Sequence, residues 1–112
     1  MIEQERYNKV TSLIREKAEE ILPAGSTVTL FGSRARGDAR TDSDWDILIL
    51  FPGPERFDWH YAYDNYIFPL SQMGMDINEE INPIVHTFQS WETVRKRSIL
   101  YYFIRDEGIR LL

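Results

Sequence analysis

The chain has 112 residues with 43% hydrophobic content, three Trp, six Tyr and six Phe, enough apolar area for one domain spanning 1–112 with a real core. Its net charge of −5 argues against a general nucleic-acid binder, because a phosphate backbone calls for a basic face. There is no cysteine, which excludes disulfides and thiolate metal sites; the start "MIEQERYNKV" is too charged for a signal peptide and no apolar run nears a membrane span, so a cytoplasmic protein without membrane contact is expected.

In chain order, residues 2–22 read as a helix, with Ile2, Val10, Ile14, Ala18 and Ile21 at helical spacing. Pro23 and Gly25 stop it. Thr27 to Phe31 is β-branched and apolar and reads as a strand, after which Gly32 begins a turn. Trp45 to Phe51 is a second strand, apolar on both faces as a covered central strand is. Trp59 to Met73 reads as a helix with Tyr63, Ile67 and Leu70 on its inner face. A third strand is most secure over Ile84 to Phe88, and the stretch after it reads as one or two helices, capped at Ser90 and ended at Gly108, with "IRLL" as a short strand or terminal segment. The order α-β-β-α-β-α suggests an α/β (α+β) domain with a small mixed sheet flanked by helices.

The chemistry concentrates in "FGSRARGDARTDSDWDILIL". Residues two apart on a strand face the same way, so Asp44 and Asp46 project side by side where the second strand begins. Two carboxylates that close repel each other unless a cation lies between them, and a hard ion such as Mg²⁺ takes oxygen ligands of this type. Gly32 directly follows the first strand, so the backbone can bend sharply and approach a ligand, and Ser33 adds a hydroxyl and an N–H. Arg34 or Arg36 adds charge for phosphates.

Two better-known motifs fail here. Gly32 and Gly37 have P-loop spacing, but Asp38 and Ala39 stand where Lys and Ser/Thr belong. Asp42, Asp44 and Asp46 open like a calcium-binding EF-hand, but Ile47 and Gly53 occupy the required Gly and Glu positions.

"GSRARGDARTDSDWDILI" resembles the signature of the polymerase-beta-like nucleotidyltransferase superfamily: G-S-x-A-R-G, a spacer, then S-D-x-D-hydrophobic. The similarity is greatest to its minimal nucleotidyltransferases, which include antitoxins. The resemblance implies the nucleotidyltransferase fold, with Asp44 and Asp46 as catalytic ligands of two Mg²⁺ ions. It also implies that Gly32, Ser33 and Arg36 bind the phosphates of an NTP, here ATP. The activity implied is transfer of a nucleoside monophosphate to a hydroxyl by two-metal chemistry. Members of this family supply a third carboxylate from the next strand. Here its place falls on Asn82, with Glu80 and Asp76 at the same parity, so the third ligand stays open between Glu80 and Asn82, and a weakened antitoxin that acts by binding is the alternative. The family further implies a small helical HEPN toxin as partner, whose tyrosine accepts AMP; a homo-oligomer is another source of an acceptor-holding surface.

Other features read as structural: His86 as a satisfied strand histidine, the aromatic group Trp59, His60, Tyr61, Tyr63 and Tyr66 as core or partner surface, and Arg95 to Ser98 as solvated helix.

Overall fold

The computed structural model describes residues 2–95 and 97–112. Helix α1 (Glu3–Ile21) buries Val10, Ile14 and Ala18 along one stripe and carries Glu3 and Glu5 in its first turn, where the helix dipole favours negative charge. Strand β1 (Thr27–Phe31) leads through Gly32 into the one-turn helix α2 (Ser33–Arg36). Strand β2 (Trp45–Phe51) follows. A continuous helical segment then comprises α3 (Trp59–Ala62), a π-helical stretch (Tyr63–Ile67) and α4 (Phe68–Asp76). Strand β3 (Ile81–Thr87), helices α5 (Phe88–Val94) and α6 (Ile99–Glu107), and the two-residue strand β4 (Ile109–Arg110) complete the described chain.

The strands form one mixed sheet in the order β3-β2-β1-β4, in which β1 is antiparallel to β2 and β4 while β2 and β3 are parallel. Central β2 explains its own sequence. Trp45, Ile47, Ile49 and Phe51 pack with Val10, Ile14 and Ala18 of α1 and with Ala62, Tyr66 and Leu70. Leu48 turns to the opposite face and packs with Phe31, Trp91 of α5 and Ile104 of α6. The result is an α+β architecture with helices on both faces of a small mixed sheet.

Four sequence expectations need correction. In the helical segment the buried positions are Ala62, Tyr66, Leu70 and Gly74; Leu70 and the partly buried Ile67 pack on the core as expected, but Tyr63 is exposed. The cause is the π stretch: its wider turn keeps every fourth residue on one line, where an α-helix would drift. Gly74 then lets β3 approach, since a Cβ there would lie 2.8 Å from the Glu79 carbonyl oxygen. Strand β3 starts three residues earlier than its apolar run, because its parallel pairing extends down to Trp45↔Ile81. Phe88 opens a helix capped by the Thr87 hydroxyl, which accepts from the Ser90 N–H at 3.0 Å, so Ser90 lies inside the helix and is not its cap. Finally, the basic stretch from Arg95 falls between α5 and α6, where Ser98 caps α6; Lys96 lies outside the described residues.

Candidate functional site

Strand direction builds the site. β1 ends where β2 and β3 begin, and the register pairs Phe31 with Asp46 and Asp46 with Asn82. The Gly32–Ser33 turn, Asp44, Asp46 and Asn82 are thereby brought to one end of the sheet. Gly32 has φ 76°, ψ −157°, and a Cβ on it would lie 2.6 Å from Asp46 Oδ2, so the carboxylate packs directly against the glycine backbone. Backbone bonds from Ala35 and Arg36 to the Gly32 carbonyl, each 3.0 Å, close the turn. Among the described residues no hydrogen bond engages the Ser33 hydroxyl.

The carboxylate pair is electrostatically unsettled. Asp46 is half-buried, and desolvation raises its pKa above the ordinary carboxylate value; the neighbouring Asp44 charge adds to the rise, while the Asn82 amide and the Arg36 charge oppose it. Asn82 Nδ2 donates to Asp44 Oδ2 at 2.9 Å, so the amide fills the place opposite the pair with a neutral group. Glu80, just outside β3, is exposed, and its carboxyl is raised chiefly by its hydrogen-bonding contact with Asp44, then by that residue's charge. Asp76 is not with them: it ends α4 and accepts from Gln72 at 3.2 Å, so strand parity never applied to it. Among the described residues no three His, Cys, Asp or Glu side chains form a metal-holding group. The donors that do converge are all oxygen-bearing: the Asp44 and Asp46 carboxylates, the latter poorly solvated, beside the Asn82 amide and the Glu80 carboxyl that touches Asp44. That set suits a hard divalent ion, whose charge would relieve the repulsion.

The arginines divide by role. Arg34 is buried, with its guanidinium 4.4 Å from the Trp45 ring centroid and Nη2 donating to the carbonyls of Ser43 at 3.0 Å and Thr41 at 3.3 Å. It therefore anchors the loop that delivers Asp44, with its guanidinium withdrawn from solvent. Arg36 is exposed, 3.3 Å from Asp38 and 3.2 Å from Glu107. Glu107, at the end of α6, also accepts from the Gly32 N–H at 3.2 Å and so ties the last helix to the turn. Arg40 and Asp42 form only a surface pair at 3.6 Å.

Three structural partners were not apparent from the sequence. The Arg6 guanidinium of α1 pairs with the buried carboxylate of Glu79 and donates to the Thr41 carbonyl at 2.8 Å, and Glu79 Oε2 accepts from Trp45 Nε1 at 3.1 Å. This network fixes the same loop from its other side. Glu107 is the third partner. Nothing local marks these residues, because each acts across more than thirty positions. His86 behaves as expected of a satisfied histidine: Nδ1 lies 3.0 Å from Ser90 Oγ, and burial lowers its pKa.

Comparison with known proteins fits this geometry. A profile described as the nucleotidyltransferase domain matches residues 12–106. No curated protein sequence matches the chain. Among solved structures, a toxin–antitoxin crystallised with AMP-PNP is 19% identical with a TM-score of 0.64, covering 91% of this chain and 72% of that one. A variant of the MntA-HpeT toxin–antitoxin, in which two aspartates two positions apart are replaced by glutamate, is 17% identical with a TM-score of 0.63 and the same coverage. A protein from Sulfolobus solfataricus assigned to the nucleotidyltransferases is 26% identical with a TM-score of 0.58, covering 95% of this chain and 82% of that one.

Proposed function

The chain belongs to the nucleotidyltransferase domain family, and from that premise we propose that it transfers AMP from ATP to an acceptor hydroxyl with magnesium at Asp44 and Asp46. The observation that supports the reading is the seating of the Asp46 carboxylate against the Gly32 backbone, a pair of carboxylates beside a bend able to approach phosphates closely. Bound magnesium would supply charge neutralisation at the phosphates and lower the pKa of the acceptor hydroxyl. The chain's own residues position the reactants. Gly32 offers the close backbone approach, Ser33 a hydroxyl without a hydrogen-bond partner among the described residues, and Arg36 an exposed guanidinium beside the turn that pairs with Asp38 and Glu107 and would have to exchange them for phosphate. Arg34, Arg6 and Glu79 hold the loop that sets Asp44.

The acceptor in this reading is a tyrosine on a small helical HEPN-type partner. What supports a protein acceptor is the likeness to two toxin–antitoxin structures, one holding AMP-PNP. The test is calorimetry with AMP-PNP and Mg²⁺. The wild type should bind, and the paired change Asp44→Asn with Asp46→Asn should abolish binding while the fold persists. A wild type that takes up no nucleotide while folded overturns the proposal.

A second reading has one observation in its favour. Asn82 sets a neutral amide against Asp44 where a further carboxylate would favour metal binding. On that reading the chain neutralises its partner by contact, and the paired Asn variant keeps partner binding undiminished.

A further inference from the structure

Glu107 stands in the last turn of α6, where the negative end of the helix dipole disfavours a carboxylate. Its oxygens find their donors at the Gly32 turn. Oε1 accepts from the Gly32 N–H at 3.2 Å and from Arg36 Nη1 at 3.2 Å, and Oε2 accepts from the same Nη1 at 3.4 Å. A backbone N–H together with a guanidinium on one anion is a donor set that suits a phosphate oxygen equally well. The carboxylate thus holds the turn as a phosphate would hold it.

The end of α6 is fixed by other means. Strand β4 follows it directly and pairs with β1 through Leu30↔Ile109 and Thr29↔Arg110. Gly108 packs so closely on β1 that a Cβ there would lie 2.7 Å from the Thr29 methyl group. Leu111 is buried, and its N–H donates to the Val28 carbonyl at 2.8 Å. The side chains of Glu107 and Arg36 are 21% and 47% exposed, so a ligand from solvent can reach the pair. Rotation of the Glu107 side chain releases both donors while the backbone stays in place. The Gly32 N–H is a single donor, which serves the carboxylate or a phosphate but not both, and like charges brought that close repel.

We propose that Glu107 is an internal competitor of the triphosphate: it contends for the Gly32 N–H and Arg36, and the nucleotide binds by expelling it from the turn. This inference rests on the nucleotide-binding reading above and adds a regulating residue to that site. The competition lowers the apparent affinity in proportion to the fraction of molecules in which Glu107 holds the turn. The coupling is reciprocal, so a change in the seating of the last turn of α6 alters nucleotide affinity, and bound nucleotide frees Glu107.

The test is calorimetry of the full chain with AMP-PNP and Mg²⁺. Glu107→Gln, which removes the charge and keeps an acceptor oxygen, should bind about fivefold or more tightly than the wild type. Asp106→Asn removes an equal charge from the neighbouring residue, whose carboxylate pairs with Arg105 at 2.9 Å, and should stay within about twofold of the wild type. A second measurement needs no variant: the side-chain carboxyl ¹³C resonance of Glu107 in the wild type should shift when AMP-PNP and Mg²⁺ saturate the protein. Weaker or unchanged binding by Glu107→Gln overturns the competition and leaves Glu107 a residue that merely positions the turn. Equal tightening by Asp106→Asn, or a Glu107 carboxyl resonance that stays in place while nucleotide binds, overturns it as well. If neither the wild type nor Glu107→Gln takes up AMP-PNP while folded, the nucleotide-binding reading beneath it falls.

Discussion

The Asp46 carboxylate rests on the backbone of Gly32, in a space that a methyl group would have to share at 2.6 Å from Oδ2. Gly32 also has φ 76°, so an L side chain is disfavoured there twice over, by conformation and by collision. Gly32→Ala should destabilise the fold by about 1–2 kcal/mol and displace Asp46. Urea unfolding and a Mn²⁺ titration check this: the metal affinity should fall by more than the loss of folded protein explains. Unchanged Mn²⁺ affinity would show that Asp46 can move without consequence.

Asn82 donates to Asp44 from across the sheet. Asn82→Asp exchanges that donor for a third negative charge. Without divalent ions the variant should melt below the wild type, because like charges crowd. With Mg²⁺ its rise in Tm should exceed the wild-type rise, since binding to the native state stabilises it. Equal Mg²⁺ responses in the two proteins would show that position 82 takes no part in Mg²⁺ binding.

Two arginines separated by one residue should respond differently. Arg34 is buried against Trp45 and donates to loop carbonyls, so Arg34→Ala should cost about 2–4 kcal/mol in unfolding free energy. Arg36 is exposed, so Arg36→Ala should leave the melting curve nearly unchanged and weaken AMP-PNP binding in calorimetry. The converse pattern would mean that their roles are exchanged.

His86 supplies a pH dependence. Burial lowers its pKa below the ordinary 6.5, so the unfolded chain binds the proton more readily than the folded one. Stability is undiminished by this group above pH 6.5 and falls as pH drops from there through the lowered folded value. His86→Gln should flatten the change in Tm between about pH 7 and pH 5.5, a window above most carboxylate titrations. A slope equal to that of the wild type would assign the dependence to other groups.

What the sequence made legible follows from the range of each signal. β1 and β2 were bounded correctly because β-branched and apolar runs between Gly, Pro and Asp report local preference. The juxtaposition of the Gly32 turn with Asp44 and Asp46 was legible because one strand connection separates them. The start of β3 was missed because Asn82 and Pro83 are not strand-like, and pairing with β2 imposes the extension. Tyr63 takes the outer face against its sequence spacing because the π stretch has no sequence mark. Arg34 and Arg36 were indistinguishable by type; only the position of the Trp45 ring separates them. Glu107 and Glu79 act over long separations and left no trace in any window.

The candidate site draws on two chain closures of unequal length. The β1–β2 connection over 32–44 brings the turn to the aspartates, whereas Asn82 arrives only after the long crossover over 52–80. Shorter loops close at smaller entropic cost, and nearby contacts form sooner. During folding, then, the half built from the Gly32 turn and the two aspartates is kinetically local and the half that holds Asn82 is the late arrival. Lesions in the crossover helix should delay completion of the second half while the first is already assembled.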